Sequence, residues 1–296
     1  MKIGESFKKG KPIISFEIFP PKAETSVEVI FETLDSLSEL KPDFISVTYG
    51  AGGSSKDRTV EIATAVQERY GVTALAHLTS ISSKKEEINA VLAELKKNGV
   101  ENILALRGDL PQGSSPEQFL DRDFTYASDL MRHIKTQGDF SIGGACYPEG
   151  HQECRVFTDN IEHLKAKQEA GAEFLISQIF LDNEFYFVLK EEMLKKGVNI
   201  PVTAGIMPVL NKTQIERLTA LCGCSIPPKF RRMMNRFADD PQAMHQAGIA
   251  YAIEQIIDLL ASGVEGIHIY TMNRADITRE ITESITEIRE LLTREK

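Results

Sequence analysis

Glu17 stands in the run PIISFEIF (residues 12–19), flanked by Phe16 and Ile18. A carboxylate among apolar neighbours is costly to bury in its ionised form, which suits a group that holds a proton and then gives it up, a general acid. The plainer alternative is a strand-end glutamate paired with a nearby cation. Asp109 follows Gly108 and precedes Leu110-Pro111 in a turn. There a carboxylate either shapes the turn or accepts hydrogen bonds from the ring N–H and amino groups of a heterocycle. His77, in TALAHL (73–78), is either a core histidine or a ligand-facing one. Gln178, in FLISQIF (174–180), carries a planar amide that suits a planar ring and needs a partner if buried.

Other groups exclude more than they suggest. GAGGSSK (50–56) lacks the Gly-Lys-Ser/Thr order of a phosphate loop, so nucleotide hydrolysis is not expected, although its glycines allow close backbone approach to a ligand. Cys222-Gly223-Cys224 lacks the two-residue gap of zinc and thioredoxin motifs, and no second ligand pair accompanies it, so no metal is expected. With Cys146 and Cys154 these cysteines are too few for a disulfide framework, which agrees with a reducing compartment. Lys229, Arg231, Arg232 and Arg236 form a basic cluster, read as a solvated helix face or as an attractor for an acidic substrate tail.

These residues need elements to hold them. Runs rich in Val, Ile, Phe and Ala at 12–19, 43–49, 73–78, 102–108, 140–147, 174–180, 200–206 and 266–272 read as strands. Helical periodicity lies between them, at about residues 25–40, 59–70, 85–98, 126–136 and 158–170. The alternation of eight strands with helices predicts a single-domain (β/α)8 TIM barrel over residues 1–296. A doubly wound open sheet is the alternative, but the glycine fingerprint expected after its first strand is replaced here by FEIFPP. Two helical patterns between 226 and 261, marked by Pro227-Pro228 and Asp239-Asp240-Pro241, predict an extra helix between strands seven and eight. Barrel active sites form at the carboxyl ends of strands, and the unusual polar residues gather there: Glu17, Thr48, His77, Arg107-Gly108-Asp109, Tyr147-Pro148-Glu149, Gln178 and Asn273-Arg274.

Hydrophobic residues make up 42% of the 296 and charged residues 26%, enough for a core and inconsistent with wholesale disorder. The net charge of −9 argues against nucleic acid and for small-metabolite partners. No apolar run approaches the roughly 18 residues of a membrane span, and the basic amino terminus lacks the apolar core of a signal peptide, so a cytoplasmic protein is expected.

In order along the chain, SFEIFPPK (15–22), VTYGAGG (47–53), AHLT (76–79), ALRGDLP (105–111), YASDL (126–130), YPEGH (147–151), Gln178 before a Phe-rich turn, and YTMNRA (270–275) resemble the methylenetetrahydrofolate reductases. The resemblance implies a flavin-containing barrel that reduces 5,10-methylenetetrahydrofolate to 5-methyltetrahydrofolate. FAD would be the cofactor and NADH or NADPH the electron donor, in ping-pong order. It implies Glu17 as the general acid toward N10 and Asp109 facing both flavin and pterin. Gln178 would read the pterin, and Gln214 and Arg274 would contact the folate tail. Thr48, His77, Arg107, Gly108, Tyr126, Ala127, Tyr147, His151 and Lys167 match flavin-binding positions.

Asn160 and His163 complete that set in a helix where relatives often place Asp and Asn. Leu218 stands where some relatives carry an aromatic used in nicotinamide-cofactor binding, which leaves NADH or NADPH open. Larger relatives append a regulatory domain; here the barrel is expected to use up the chain, and self-association into a homo-oligomer is expected. The rivals are a flavin-free barrel transferase that binds pterin and a folate-binding protein without turnover.

Overall fold

A computed structural model describes residues 1–21, 24–49, 56–109, 122–154 and 156–294. The amino-terminal segment forms a short helix α1 (Ile3–Ser6) and a turn of 3-10 helix. Then β1 (Ile13–Ile18), α2 (Glu28–Ser38), β2 (Phe44–Val47), α3 (Lys56–Glu68), β3 (Thr73–Thr79), α4 (Lys85–Lys97), β4 (Asn102–Leu106), α5 (Ala127–Gln137), β5 (Ser141–Cys146) and α6 (Phe157–Glu169) alternate without interruption. They continue through β6 (Phe174–Ser177), α7 (Asn183–Lys195), β7 (Val202–Ile206), α8 (Lys212–Cys222), α9 (Pro228–Phe237), α10 (Pro241–Ala261), β8 (Gly266–Tyr270), α11 (Ala275–Ser284) and α12 (Thr286–Arg294). The strands are all parallel and close in sequence order, β8 pairing back onto β1. This is the (β/α)8 barrel expected from the alternation, each strand falling within one residue-run named above or extending it by one residue.

The insertion between β7 and β8 is larger than one helix. α8, α9 and α10 all lie there, and the two patterns seen between 226 and 261 are α9 and α10. Their starts are fixed locally. Asn211 caps α8 by accepting from Gln214 N at 2.7 Å, Pro228 opens α9, and Asp240 accepts from Gln242 N at 3.0 Å and Ala243 N at 3.1 Å ahead of Pro241.

Alternation along the strands sorts side chains into two cores. Outward residues such as Ile14, Ile45, Ile103, Ile142 and Ile267 pack under the helices, which present faces like Ile30, Leu34 and Leu37 of α2. Inward residues fill the barrel. Phe44 on β2 and Phe174 on β6 have ring centroids 6.3 Å apart, although these strands are not neighbours, so the contact crosses the interior. With Ile13, Leu75, Leu104 and Ile176, and with Ile3 and Phe7 from the amino-terminal segment, they plug the amino end. Ile3 N donates to Asn102 Oδ1 at 2.8 Å, which pins that plug to β4. A third cluster, including Met207, Val209, Ile215, Phe230, Met234 and Met244, seats α8 to α10 at the carboxyl face.

The closest approach there is at Gly248 of α10, where an added Cβ would lie 1.8 Å from the carbonyl oxygen of Val209. Replacing Gly248 by Ala therefore forces α10 off the loop that follows β7, at a cost of about 3 kcal/mol. A urea midpoint unchanged from wild type would show that the helix can back away freely.

Candidate active site

The carboxyl end of the barrel opens into a cavity of about 1280 Å³. That exceeds the ~300–1,000 Å³ common for sites holding a single small ligand and gives room for two large planar ligands. Glu17, Asp109, Gln178, Gln214 and the flavin-matching positions from Thr48 to Lys167 all line it, whereas Glu149, Asn273 and Arg274 do not.

Its floor is the polar layer above the apolar plug. Glu17 is 6% exposed and pairs in register with Ser46 of β2 and Tyr270 of β8. Glu17 Oε2 lies 3.5 Å from each of Ser46 Oγ, His77 Nε2 and His268 Nε2. Among the described residues no lysine or arginine pairs with it, so the cation-paired alternative is not what the fold builds. Burial pushes His77 down to about 4, against the pull of Glu17 and with a push from His268, so the ring is neutral at pH 7. Its Nε2 has no hydrogen-bond partner, 3.5 Å being too long for one to Glu17.

His268 is fully buried, stacked on Phe44 at 5.9 Å. Ser15 Oγ lies 2.7 Å from its Nδ1 and donates to Ile267 O at 3.3 Å. Both contacts are satisfied together when Nδ1 carries the proton, which leaves the Nε2 lone pair facing Ser46 Oγ, at 3.4 Å, and Glu17. Burial, then the nearby Glu17, holds the Tyr270 phenol well above its ordinary range. The phenol donates to Ser177 O at 2.7 Å.

One wall is cationic. Arg107 forms a two-point pair with Glu153, the Nη2–Oε1 arm at 2.9 Å, and each partner holds the other in its charged form. Lys167 of α6 reaches across β5 to donate to Ala145 O at 2.6 Å, and burial pushes its amine down to about 8. The amino end of α5 opens beside them at Ala127, where the helix dipole favours an anion. Tyr126, 56% exposed, stacks with His163 at 6.0 Å and 27° at the mouth. His151 packs edge-on against Tyr147 at 4.6 Å.

Asn160 lines the cavity but spends its amide on the β5–α6 loop. It accepts from His151 N at 2.8 Å and donates to Cys154 O at 3.3 Å and Val156 O at 3.1 Å.

Asp109 is exposed at the end of the β4 turn. Gly108, at φ 88°, makes that turn, and a Cβ there would meet Ile81 Cγ2 at 3.0 Å. Burial, with the Asp109 charge adding to it, pushes Tyr147 up to about 12 and the Cys222 thiol up to about 11, which places all three about one space. Opposite, Gln178 Oε1 accepts from Ile179 N at 2.8 Å and Gln214 Oε1 from Leu210 N at 3.3 Å, so both amides are held by local backbone. The guanidinium of Arg274 turns instead onto Asp276, at 3.0 and 2.8 Å, outside the cavity lining. The glycine-rich residues 50–55, Leu110-Pro111 and the side chain of Leu218 lie outside the described residues. Lys229 pairs with Glu254, and the α9 cluster is an exposed face that does not line the cavity. The four cysteines are free.

Ser15, Ser46, His268 and Glu153 were not nominated from sequence. The first three carried a signal, since each lies two residues before a nominated or motif residue on the same strand face: Glu17, Thr48 and Tyr270.

A closed parallel barrel whose carboxyl face joins a buried acid to a cation-lined wall is a barrel enzyme. Comparison with known proteins narrows this. Residues 2–286 match the family model described as methylenetetrahydrofolate reductase. The chain is 34% identical over 278 residues to 5,10-methylenetetrahydrofolate reductase of Pectobacterium carotovorum, covering 94% of this chain and 91% of that one. It is 35% identical over 283 residues to methylenetetrahydrofolate reductase (NADH) 1 of Zea mays, covering 92% of this chain and 48% of that longer one. A Clostridium thermocellum protein that binds two copies of 5-methyl-5,6,7,8-tetrahydrofolic acid shares the fold, with TM-score 0.65 at 14% identity over 98% of this chain and all of that one. The chain belongs to the methylenetetrahydrofolate reductase family and is an oxidoreductase. Among the described residues no helix is long and apolar enough to cross a membrane.

The neutral His77 has a measurable consequence. Its folded-state pKa, about 4, lies below the ordinary 6.5, so the unfolded chain binds the extra proton between these values and stability falls as pH drops through that window. The loss from this group is about 3 kcal/mol. In urea unfolding at stepped pH, His77→Gln should flatten the wild-type slope between pH 6.5 and 4; an unchanged slope would mean that His77 is already protonated in the fold.

Proposed function

We propose that this chain reduces 5,10-methylenetetrahydrofolate to 5-methyltetrahydrofolate, with FAD as the resident cofactor and NADH or NADPH as donor in ping-pong order. The observation that carries the reading is the buried Glu17 carboxyl, surrounded by a hydroxyl and imidazoles and reached only from the cavity. Among the described residues no Lys or Arg is paired with that carboxyl, so it is free to act on a ligand in the cavity.

The residues present suit a flavin dinucleotide. Arg107, Lys167, His151 and the amino end of α5 supply donors for a pyrophosphate, and Tyr126 with His163 offers a ring surface at the mouth. Thr48 and the unpartnered His77 Nε2 supply polar contacts deeper in. A flavin held there would supply hydride-transfer chemistry between a nicotinamide donor and the substrate's methylene carbon.

The chain's own groups do the rest. Glu17 gives its proton to N10 as the methylene–N10 bond breaks, so the carbon is left on N5 as an iminium cation that hydride converts to methyl. The Asp109 carboxylate opposes that positive charge, and Gln178 faces the pterin's edge. His268, its Nε2 3.5 Å from Glu17 Oε2 and its Nδ1 proton held by Ser15, turns an acceptor rather than a charge toward the carboxyl. Gln214 lies toward the folate tail.

An absorption spectrum followed anaerobically tests this. A flavin band should bleach with NADH and return with methylenetetrahydrofolate; no band after reconstitution with FAD would favour a flavin-free pterin transferase. Glu17→Gln should keep the band and its bleaching while slowing the folate-driven return by about 10²–10⁴, and loss of FAD on that substitution would sink the assigned role. The cationic wall predicts a pH effect as well. A bound pyrophosphate favours the charged form of Lys167, whose amine sits near 8, so affinity for FAD should fall as pH rises through about 8. Fluorescence titration should show that slope in wild type and lose it in Lys167→Met.

A further inference from the structure

β1 ends where its ladder cannot continue. Toward β2, Thr48 N donates to Ile18 O at 3.1 Å, but toward β8 the register stops with Glu17 opposite Tyr270. Pro20 and Pro21 follow Phe19 and bring no N–H. Glu17 therefore sits in the last rungs of a strand, where pairing frays most readily. A proton donor in that place must still be held to about 0.5 Å.

The turn between β8 and α11 reinforces the last rung and extends it with side chains. Thr271 Oγ1 donates to Glu17 O at 2.6 Å, beside a longer backbone bond from Thr271 N to the same oxygen at 3.4 Å. Asn273 then treats Phe19 as a neighbouring strand would. Its Oδ1 accepts from Phe19 N at 2.9 Å and its Nδ2 donates to Phe19 O at 2.9 Å. Asn273 N donates to Thr271 Oγ1 at 3.1 Å and Arg274 N to Thr271 O at 2.8 Å, which closes the turn on itself.

Reaching this arrangement bends the chain. Met272 and Asn273 lie at φ 50° and 58°, two consecutive non-glycine residues in the left-handed region. Asparagine tolerates that region better than most residues, and methionine does not. Thr271 is 2% exposed, so the bend is held in place by burial and by hydrogen bonds to β1. Strain of this kind persists where the surroundings over-determine it, beside sites that need exact placement of a group.

We propose that Asn273, seconded by Thr271, is a positioning residue for proton donation. Its amide stands in for the absent strand and fixes the Glu17 carboxyl against the nitrogen it protonates. Asn273 does not line the cavity, so it acts through the backbone of β1 rather than on substrate or cofactor. The inference rests on the reading of Glu17 as the acid.

The test compares the two half-reactions of the flavin-loaded protein by stopped flow. Asn273→Gly removes the amide and relaxes the backbone at that residue. Asn273→Asp keeps the acceptor for Phe19 N but sets a carboxylate oxygen against Phe19 O. Ile88→Val, a core trim on α4, serves as the control for lost stability. Both Asn273 variants should retain flavin and bleach with NADH within about twofold of wild type, while the folate-driven return slows by about 10–100-fold. Ile88→Val should leave the ratio of the two rates unchanged. If Asn273→Gly fails to fold, Asn273→Asp decides alone. Rates for the folate step equal to wild type, or equal slowing of both half-reactions, would overturn the proposal. Failure of the underlying reading looks different: Glu17→Gln itself would then reduce folate normally.

Discussion

The structure turns on the burial of one carboxyl without a cation beside it. The cations that line the same cavity are engaged elsewhere, Arg107 by Glu153 and Lys167 by the carbonyl of Ala145. The positive groups are thus committed to the wall of the cavity and kept off its floor. What faces Glu17 instead is Ser46 and two imidazoles, one of them held neutral by burial. Such a shell leaves the carboxyl uncommitted to a salt bridge and open to the cavity.

The same division explains why the cavity is both large and mixed in character. Anion-seeking groups collect on the β4, β5 and α5 side, whereas the amides of Gln178 and Gln214 follow β6 and β7 and Glu17 projects from β1. On the proposed reading, the first set of donors would take a diphosphate-bearing ligand and the second a polar heterocycle. Asp109 adds an exposed carboxylate there, where it bears on Tyr147 and Cys222.

Much of this was legible in the sequence, for identifiable reasons. The strands were legible because parallel strands buried on both faces read as continuous apolar runs, and Glu17 stood out because it interrupts one. The three helices between β7 and β8 were less so, since α8 begins with a capped polar turn, Asn211 to Gln214, and does not announce a separate element. Ser15 and His268 escaped notice because a serine or histidine inside a strand has an ordinary structural role; only the register that brings Ser15 opposite His268 gives them a shared one. Arg274 shows the converse. Its motif marks it for a ligand, but Asp276 two residues on captures its guanidinium by geometry that no spacing argument weighs.

Layering inside the barrel ties stability to chemistry. Because side chains alternate with a period of two, Ile13, Ser15 and Glu17 stack along one inner face, from apolar plug through polar layer to cavity floor. Phe44 and Ser46 do the same on β2, with Phe44 stacked under His268. The depth at which the amino-terminal plug seats therefore sets the height of the Ser15–His268 pair, and that pair sets the surroundings of Glu17. Packing at one end of the barrel and proton placement at the other are consecutive layers of a single column, close-packed enough that a shift in the first has nowhere to be absorbed before it reaches the second.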